Sequence, residues 1–320
     1  MKHGKPRVAV SVGDLNGIGI ALALRSHWRV AQDADPLYFI DREMLEQAAD
    51  LLELPIPGDF RILAPDAEPF SIRPGVIDAR AGAYSFASFK AAVDCCAEGH
   101  ADALCTLPIH KEAWHRAGLP YKGHTDALRD FFDAQAIMML GCPKMYVGLY
   151  TEHIPLKEVP AQIGEERLTR FLLDFQRETG AEKIGVLGLN PHAGDGGVLG
   201  TEETIIIKAI ETANQTLQNN STFNIQHSTF FVGPLVPDTA FTPAMRREFT
   251  HYVALYHDQG LIPLKALHFD ESINVSLNLP ILRTSVDHGT AFDIAYRRET
   301  TPNDRSYLNA VRYIAERFDY

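Results

Sequence analysis

Residues 7–19 read R-V-A-V-S-V-G-D-L-N-G-I-G. Arg7–Val12 carries valine at alternate positions and reads as a first β-strand. The turn Gly13–Gly19 then leads the chain away from it. A dinucleotide fingerprint needs glycines in the order G-x-G-x-x-G, whereas here they stand at 13, 17 and 19. A tight strand-to-helix turn explains them better, with Asp14 as a candidate site residue.

The same grammar continues outward. Leu37–Ile40 reads as a strand and Glu43–Leu52 as a helix; Ala81–Glu98 has helical periodicity, and Ala103–Thr106 is a short buried strand before Pro108. Thr125–Phe132, Glu165–Glu178 and Glu202–Leu217 read as amphipathic helices. Asp304–Arg317 reads as a last helix behind an Asn303-Asp304 cap signal. Such alternation predicts an α/β protein whose mostly parallel sheet is covered by helices on both faces. Leu54–Pro74 reads as a meandering connection with a short hairpin, and Gln215–Asn224 as a surface loop.

A chain of 320 residues allows two domains, or one large unit with an inserted lobe. Its 46% hydrophobic and 22% charged residues are ordinary for a soluble globular protein. A net charge of −11 argues against nucleic acid as a partner, yet leaves room for a cationic pocket. The four cysteines form no zinc knuckle or C-x-x-C pair, which fits reduced thiols in the cytoplasm. No signal-peptide core precedes the first strand, and no apolar run approaches the roughly 20 residues needed to span a bilayer. A cytoplasmic protein without a membrane partner is expected.

Three histidines each follow an apolar, strand-like run: His153 after Tyr146–Tyr150, His192 after Ile184–Leu189 and His257 after Tyr252–Leu255. Strands of an open α/β sheet deliver their carboxyl ends to one crevice. Three imidazoles meeting there would bind a divalent metal and leave coordination positions for substrate. The competing reading is that they are ordinary surface or core residues among the chain's 13 histidines, since their long spacing matches no compact metal motif. Gly123-His124-Thr125-Asp126 opens a helix with Thr125 as its cap, a place that favours an anion. In N-P-H-A-G-D-G-G, 190–197, the glycines and proline point to close backbone approach to a ligand. The segment 256–295 concentrates His257, Asp258, Lys265, Asn274, Arg283, Asp287 and His288. Lys265 and Arg283 lie among apolar runs, and such cations call for an anion, either on a ligand or on Asp270 or Glu271 in an internal salt bridge.

Taken in order, these strings resemble the 4-hydroxythreonine-4-phosphate dehydrogenase family of pyridoxine biosynthesis. They are G-D-L-N-G-I-G (13–19), G-H-T-D (123–126), T-E-H-I-P-L (151–156), L-N-P-H-A-G-D-G-G (189–197), Y-H-D-Q-G (256–260), Asn274 within I-N-V-S-L-N-L-P, and R-T-S-V-D-H-G-T-A-F-D-I-A (283–295). The resemblance implies two α/β/α domains around a cleft, as in isocitrate and isopropylmalate dehydrogenases, with 1–122 plus 297–320 forming the first and 123–296 the second. It implies a divalent metal (zinc, magnesium or cobalt) on His153, His192 and His257, in sites shared by the subunits of a homodimer. It assigns the small phosphorylated amino-acid substrate to His124, Thr125, Lys265, Asn274 and Arg283. NAD or NADP would lie along Asp287, His288, Gly289 and Thr290. The chain departs from the family pattern at Leu15-Asn16, where D-P-A-G is usual, and at Tyr296, where a glycine usually follows D-I-A.

The chemistry implied is oxidation at C3 of 4-phosphooxy-L-threonine, then decarboxylation to 3-amino-2-oxopropyl phosphate, with Asp258 or Lys265 accepting the hydroxyl proton. The runner-up is a dehydrogenase of a phosphorylated four-carbon sugar acid of the erythronate or threonate type. A phosphate acyltransferase would not need three metal histidines, and a metal phosphatase would use more carboxylates.

Overall fold

The computed structural model describes residues 4–220 and 230–318. In chain order the first elements are β1 (Arg7–Ser11), α1 (Gly19–Asp33), β2 (Asp35–Phe39), α2 (Arg42–Leu52), β3 (Arg61–Leu63) and α3 (Ala79–Ala97). Next come β4 (Ala103–Thr106), α4 (Lys111–Arg116), α5 (His124–Phe132), β5 (Ile137–Cys142), β6 (Met145–Leu149), α6 (Val159–Gln162) and α7 (Glu165–Thr179). Then follow β7 (Ile184–Leu187), α8 (Glu203–Asn220), β8 (Phe231–Leu235), α9 (Met245–Glu248), β9 (His251–Ala254) and α10 (His257–His268). The chain closes with β10 (Ile273–Leu277), β11 (Leu282–Val286) and α11 (Arg305–Phe318).

Two compact units result, one from residues 1–136 with 270–320 and the other from 137–269. Residues 123–136 and 270–296, expected in the second domain, belong to the first. The reason is pairing: β11 lies parallel to β4 and antiparallel to β10, so the segment after Asp270 completes the first sheet.

In the first unit the strands run β3-β2-β1-β4-β11-β10, all parallel except the β10–β11 pair. Successive residues of a strand face opposite sides. Accordingly Phe39, Ala9 and Leu104 join Phe89 and Val93 of α3 and Trp114 of α4 in one core layer. Tyr38, one position from Phe39, instead meets His27 of α1 and Tyr307 of α11. Helices thus cover both faces. No hairpin forms within 54–74; its one strand, β3, pairs parallel with β2.

In the second unit the order is β5-β6-β9-β7-β8, with only β5–β6 antiparallel. α10 packs on the face bearing Val147, Tyr252 and Ala254. The other face of β6 receives α7, where Phe175 lies so close to Gly148 that a Cβ there would approach its ring to 2.6 Å. Helix α8 carries Gln215–Asn220, expected as loop; 221–224 lie outside the described residues.

Candidate active site

The anion pocket belongs to the first unit. Register partners share a face of a sheet, so Ser11, Thr106, Ser285 and Asn274 form one row across β1, β4, β11 and β10 on the α3 side. The next row toward the sheet interior is Ala9, Leu104, Arg283 and Ser276. Arg283 is only 2% exposed. Its Nη2 donates to Thr106 Oγ1 at 2.7 Å and its Nη1 to Ser276 Oγ at 3.1 Å, while Nε has no acceptor. Among the described residues Arg283 makes no salt bridge to Asp270 or Glu271, and no carboxylate offsets its charge. Burial alone pushes the guanidinium down to about 10, so it stays cationic at neutral pH.

His124 stands beside this cation. It is the first residue of α5, and Gly123 at φ +157° is the N-cap, so Thr125 lies inside the first turn rather than capping it. The His124 ring packs edge-on against Phe89 at 4.7 Å and Trp114 at 5.5 Å. Its Nε2 is buried without a partner, and its pKa is held well below the ordinary imidazole value by burial and by the charges of Arg283 and Lys111. A neutral imidazole, an unsatisfied guanidinium and the bare N-terminus of α5 make a receptor for an oxyanion. Asn274 adds an unpaired, buried Oδ1 from β10.

The glycine turn that follows β1 meets the loops after β4 and β11. Asp14 N donates to Pro108 O (2.8 Å) and Ile18 N to Thr290 O (3.0 Å). A Cβ on Gly13 would come within 2.2 Å of Pro108 O, which explains that glycine. The loop 287–290 is anchored further by Asp287 N donating to Ser306 Oγ at 2.9 Å. Both departures from the family pattern act here. The Asn16 carboxamide accepts from Arg73 N and donates to Val76 O, both at 2.8 Å, which fastens 73–76 to the turn. Tyr296 adopts φ +59°, the left-handed backbone that favours glycine, and its hydroxyl donates to Leu15 O at 2.6 Å.

The three histidines lie in the second unit, beyond the carboxyl ends of β6, β7 and β9, which are neighbours in the order β6-β9-β7. A buried relay ties these ends together. Thr151 Oγ1 donates to Leu255 O (2.6 Å), Leu255 N to Gln259 Oε1 (2.7 Å), and Gln259 Nε2 to Gly188 O (2.7 Å). His153 and His257 have ring centroids 5.2 Å apart. His257 opens α10, and its Nδ1 bonds Asp258 Oδ1 at 2.7 Å. A carboxylate only accepts, so Nδ1 carries the proton and Nε2 keeps a lone pair for a metal, as ligand histidines commonly do. His192 lies in a left-handed stretch held by Glu203, which accepts from Leu189 N, Asn190 N and Asn190 Nδ2 at 2.7–2.9 Å. The donor set suits a divalent ion, although the nitrogens of all three do not come within 4.8 Å of one another in one chain.

Lys265 lies eight residues after His257 on α10, about 12 Å along the axis. Its Nζ stands 5.4 Å from the Phe269 ring centroid. Asp258, proposed from sequence as a base, is engaged in orienting His257. Sequence reasoning missed Thr106, Ser276, Gln259, Glu203 and Lys111. The available signal was a polar residue closing an apolar strand, as Thr106 does in A-L-C-T.

Comparisons with known proteins agree over nearly the whole chain. A family model described as pyridoxal phosphate biosynthetic protein PdxA matches residues 32–314. A 4-hydroxythreonine-4-phosphate dehydrogenase of Sulfurimonas denitrificans is 54% identical over 308 residues, 96% of each chain. One from Campylobacter fetus is 48% identical over 316 residues, covering 98% of this chain and 99% of its own. The crystal structure of a 4-hydroxythreonine-4-phosphate dehydrogenase from Burkholderia phymatum superposes with a TM-score of 0.77 at 32% identity, covering 98% of both chains.

Proposed function

The chain belongs to the family of pyridoxal phosphate biosynthetic protein PdxA, and from that premise we infer that it is a 4-hydroxythreonine-4-phosphate dehydrogenase. It oxidises 4-phosphooxy-L-threonine at C3 with NAD or NADP as hydride acceptor, and loss of carbon dioxide then gives 3-amino-2-oxopropyl phosphate. The observation that carries the substrate class is Arg283, a buried cation with no counter-ion among the described residues, beside an imidazole kept neutral.

Arg283, His124, Thr125 and Asn274 bind the anionic substrate, with the N-terminus of α5 adding its partial positive charge. His153, His192 and His257 would hold a zinc, magnesium or cobalt ion, which supplies Lewis acidity toward the C3 hydroxyl. Asp258 fixes the His257 tautomer. That duty leaves Lys265 the stronger candidate for taking the hydroxyl proton. Asp287, His288, Gly289 and Thr290 would line the dinucleotide, on a loop fixed by Ser306 and by the turn after β1.

Supporting a homodimer with shared sites, apolar side chains are exposed at Ile154 and Leu156, just after His153, and at Val198 and Leu199, which end the loop carrying His192. The three ligand nitrogens also do not close within one chain. Among the described residues no helix is long and apolar enough to cross a membrane, and the cytoplasm is the compartment we assign.

The test is turnover of phosphorylated hydroxythreonine against phosphorylated erythronate and threonate, with NAD and each metal in turn. Preference for the amino acid is expected. A tetronate turned over faster would replace this reading by that of a sugar-acid dehydrogenase.

A further inference from the structure

We propose that Thr106 is a positioning residue of the anion pocket: with Ser276 it aims the Arg283 guanidinium and, being a hydroxyl and not a carboxylate, leaves the charge of Arg283 whole for a phosphorylated substrate. The proposal rests on the dehydrogenase reading for the identity of that substrate.

Buried arginines usually face a carboxylate, because an isolated charge is costly to remove from water. Such a partner would orient the side chain and also neutralise it. Here orientation and neutralisation are separated. Thr106 from β4 and Ser276 from β10 each accept one N–H, at 2.7 and 3.1 Å, from strands on either side of β11. Both hydroxyls are buried, at 0% and 1% exposure, so water does not compete for the guanidinium. Gripped on two sides, the planar group has its rotation fixed, and Nε remains without an acceptor. A guanidinium offers five donors, so those left over can meet an oxyanion through more than one bond. His124, whose pKa Arg283 helps to hold down, stays neutral and so carries no charge that would repel the guanidinium.

Three substitutions at one position separate the alternatives. Thr106→Val keeps shape and removes the acceptor. Thr106→Ser keeps the acceptor and removes a methyl. Thr106→Asp supplies the carboxylate that the pocket lacks. Steady-state kinetics with phosphorylated hydroxythreonine and NAD should show KM for the substrate raised about tenfold in Thr106→Val, from loss of one charge-assisted bond. KM for NAD should stay unchanged, and Thr106→Ser should recover most of the loss. Thr106→Asp should weaken substrate binding on the order of hundredfold while its Tm stays at or above the parent value. Inhibition by inorganic phosphate should weaken in the same order.

Should Thr106→Val fold poorly, Ser276→Ala gives the same reading through the other hydroxyl, with a several-fold rise expected. An unchanged substrate KM in Thr106→Val or in Ser276→Ala overturns the positioning role. Parent-like substrate affinity in Thr106→Asp overturns the charge argument. A wild-type enzyme without turnover would fail the dehydrogenase reading instead, and phosphate binding to the same variants would still decide the clamp.

Discussion

Asp14 has a carboxyl with no exposed surface, one oxygen accepting from Asn16 N at 2.9 Å and the other unpartnered. Burial raises its pKa from 3.8 to about 6. Folding therefore disfavours the charged form: stability is fully present below pH 3.8 and declines as pH rises through about 6. The loss above that is about 3 kcal/mol. Asp14→Asn keeps the acceptor and never ionises, so its Tm should exceed the parent's at about pH 8 and match it near pH 4. A Tm difference independent of pH would mean that the carboxyl is solvated after all. Asp14 was legible in the sequence as a residue in a tight turn, and its burial was not. What buries it are the loops after β4 and β11, whose contacts lie some 95 and 275 positions away and leave no local signature. Arg283 was legible as a cation among apolar residues; its hydroxyl partners lie on other strands and were not.

At the scale of elements, α3 and α4 cross so closely that a Cβ on Gly82 would stand 2.2 Å from Ala113 O. Behind this contact Trp114 Nε1 donates to Ser85 Oγ at 2.8 Å, and the indole supports the His124 ring. Gly82→Ala should force the helices apart, lower stability by about 1–3 kcal/mol and raise substrate KM more than NAD KM. Denaturant unfolding and steady-state kinetics read the two effects. Most helices and the buried strands were legible, since their periodicity is local. β3 escaped because three residues carry no period. β10 was legible as an apolar run, but β11, L-R-T-S-V, was not; the antiparallel pairing that joins them to the first unit is a long-range fact. Thr125 was misread as the cap because Gly123, at φ +157°, caps the helix two residues earlier.

At the scale of the whole molecule, the shared-site dimer proposed above makes a numerical prediction. His153 and His257 of one chain lie together, whereas His192 sits on a separate loop after β7. If the first two serve one site and His192 the partner's, co-expressing His153→Ala with His192→Ala chains yields heterodimers with one intact site. Random pairing makes about half the dimers mixed, so activity should recover to about a quarter of wild type. His153→Ala with His257→Ala should recover none. Rescue by the second pair and not the first would make His257 the ligand supplied across the interface, rescue by both pairs would make it His153, and rescue by neither, with heterodimers present, would place all three ligands in one chain. That each histidine follows a strand was legible, since the apolar run before it is local. Which surface a second copy would cover was not, because no local pattern in the sequence marks it.

The chain from His192 to Gly197 holds positive φ at every residue, between +43° and +99°, and three of these residues are not glycine. Left-handed backbone costs a residue bearing a Cβ roughly 1–2 kcal/mol, so this stretch inverts the usual ranking of substitutions. Glycine, elsewhere a loss, becomes the most permissive replacement at Ala193 and Asp195, and β-branched residues become the least. Mutational drift in descendants of this gene should therefore be lopsided, with glycine and asparagine entering beside a histidine that stays.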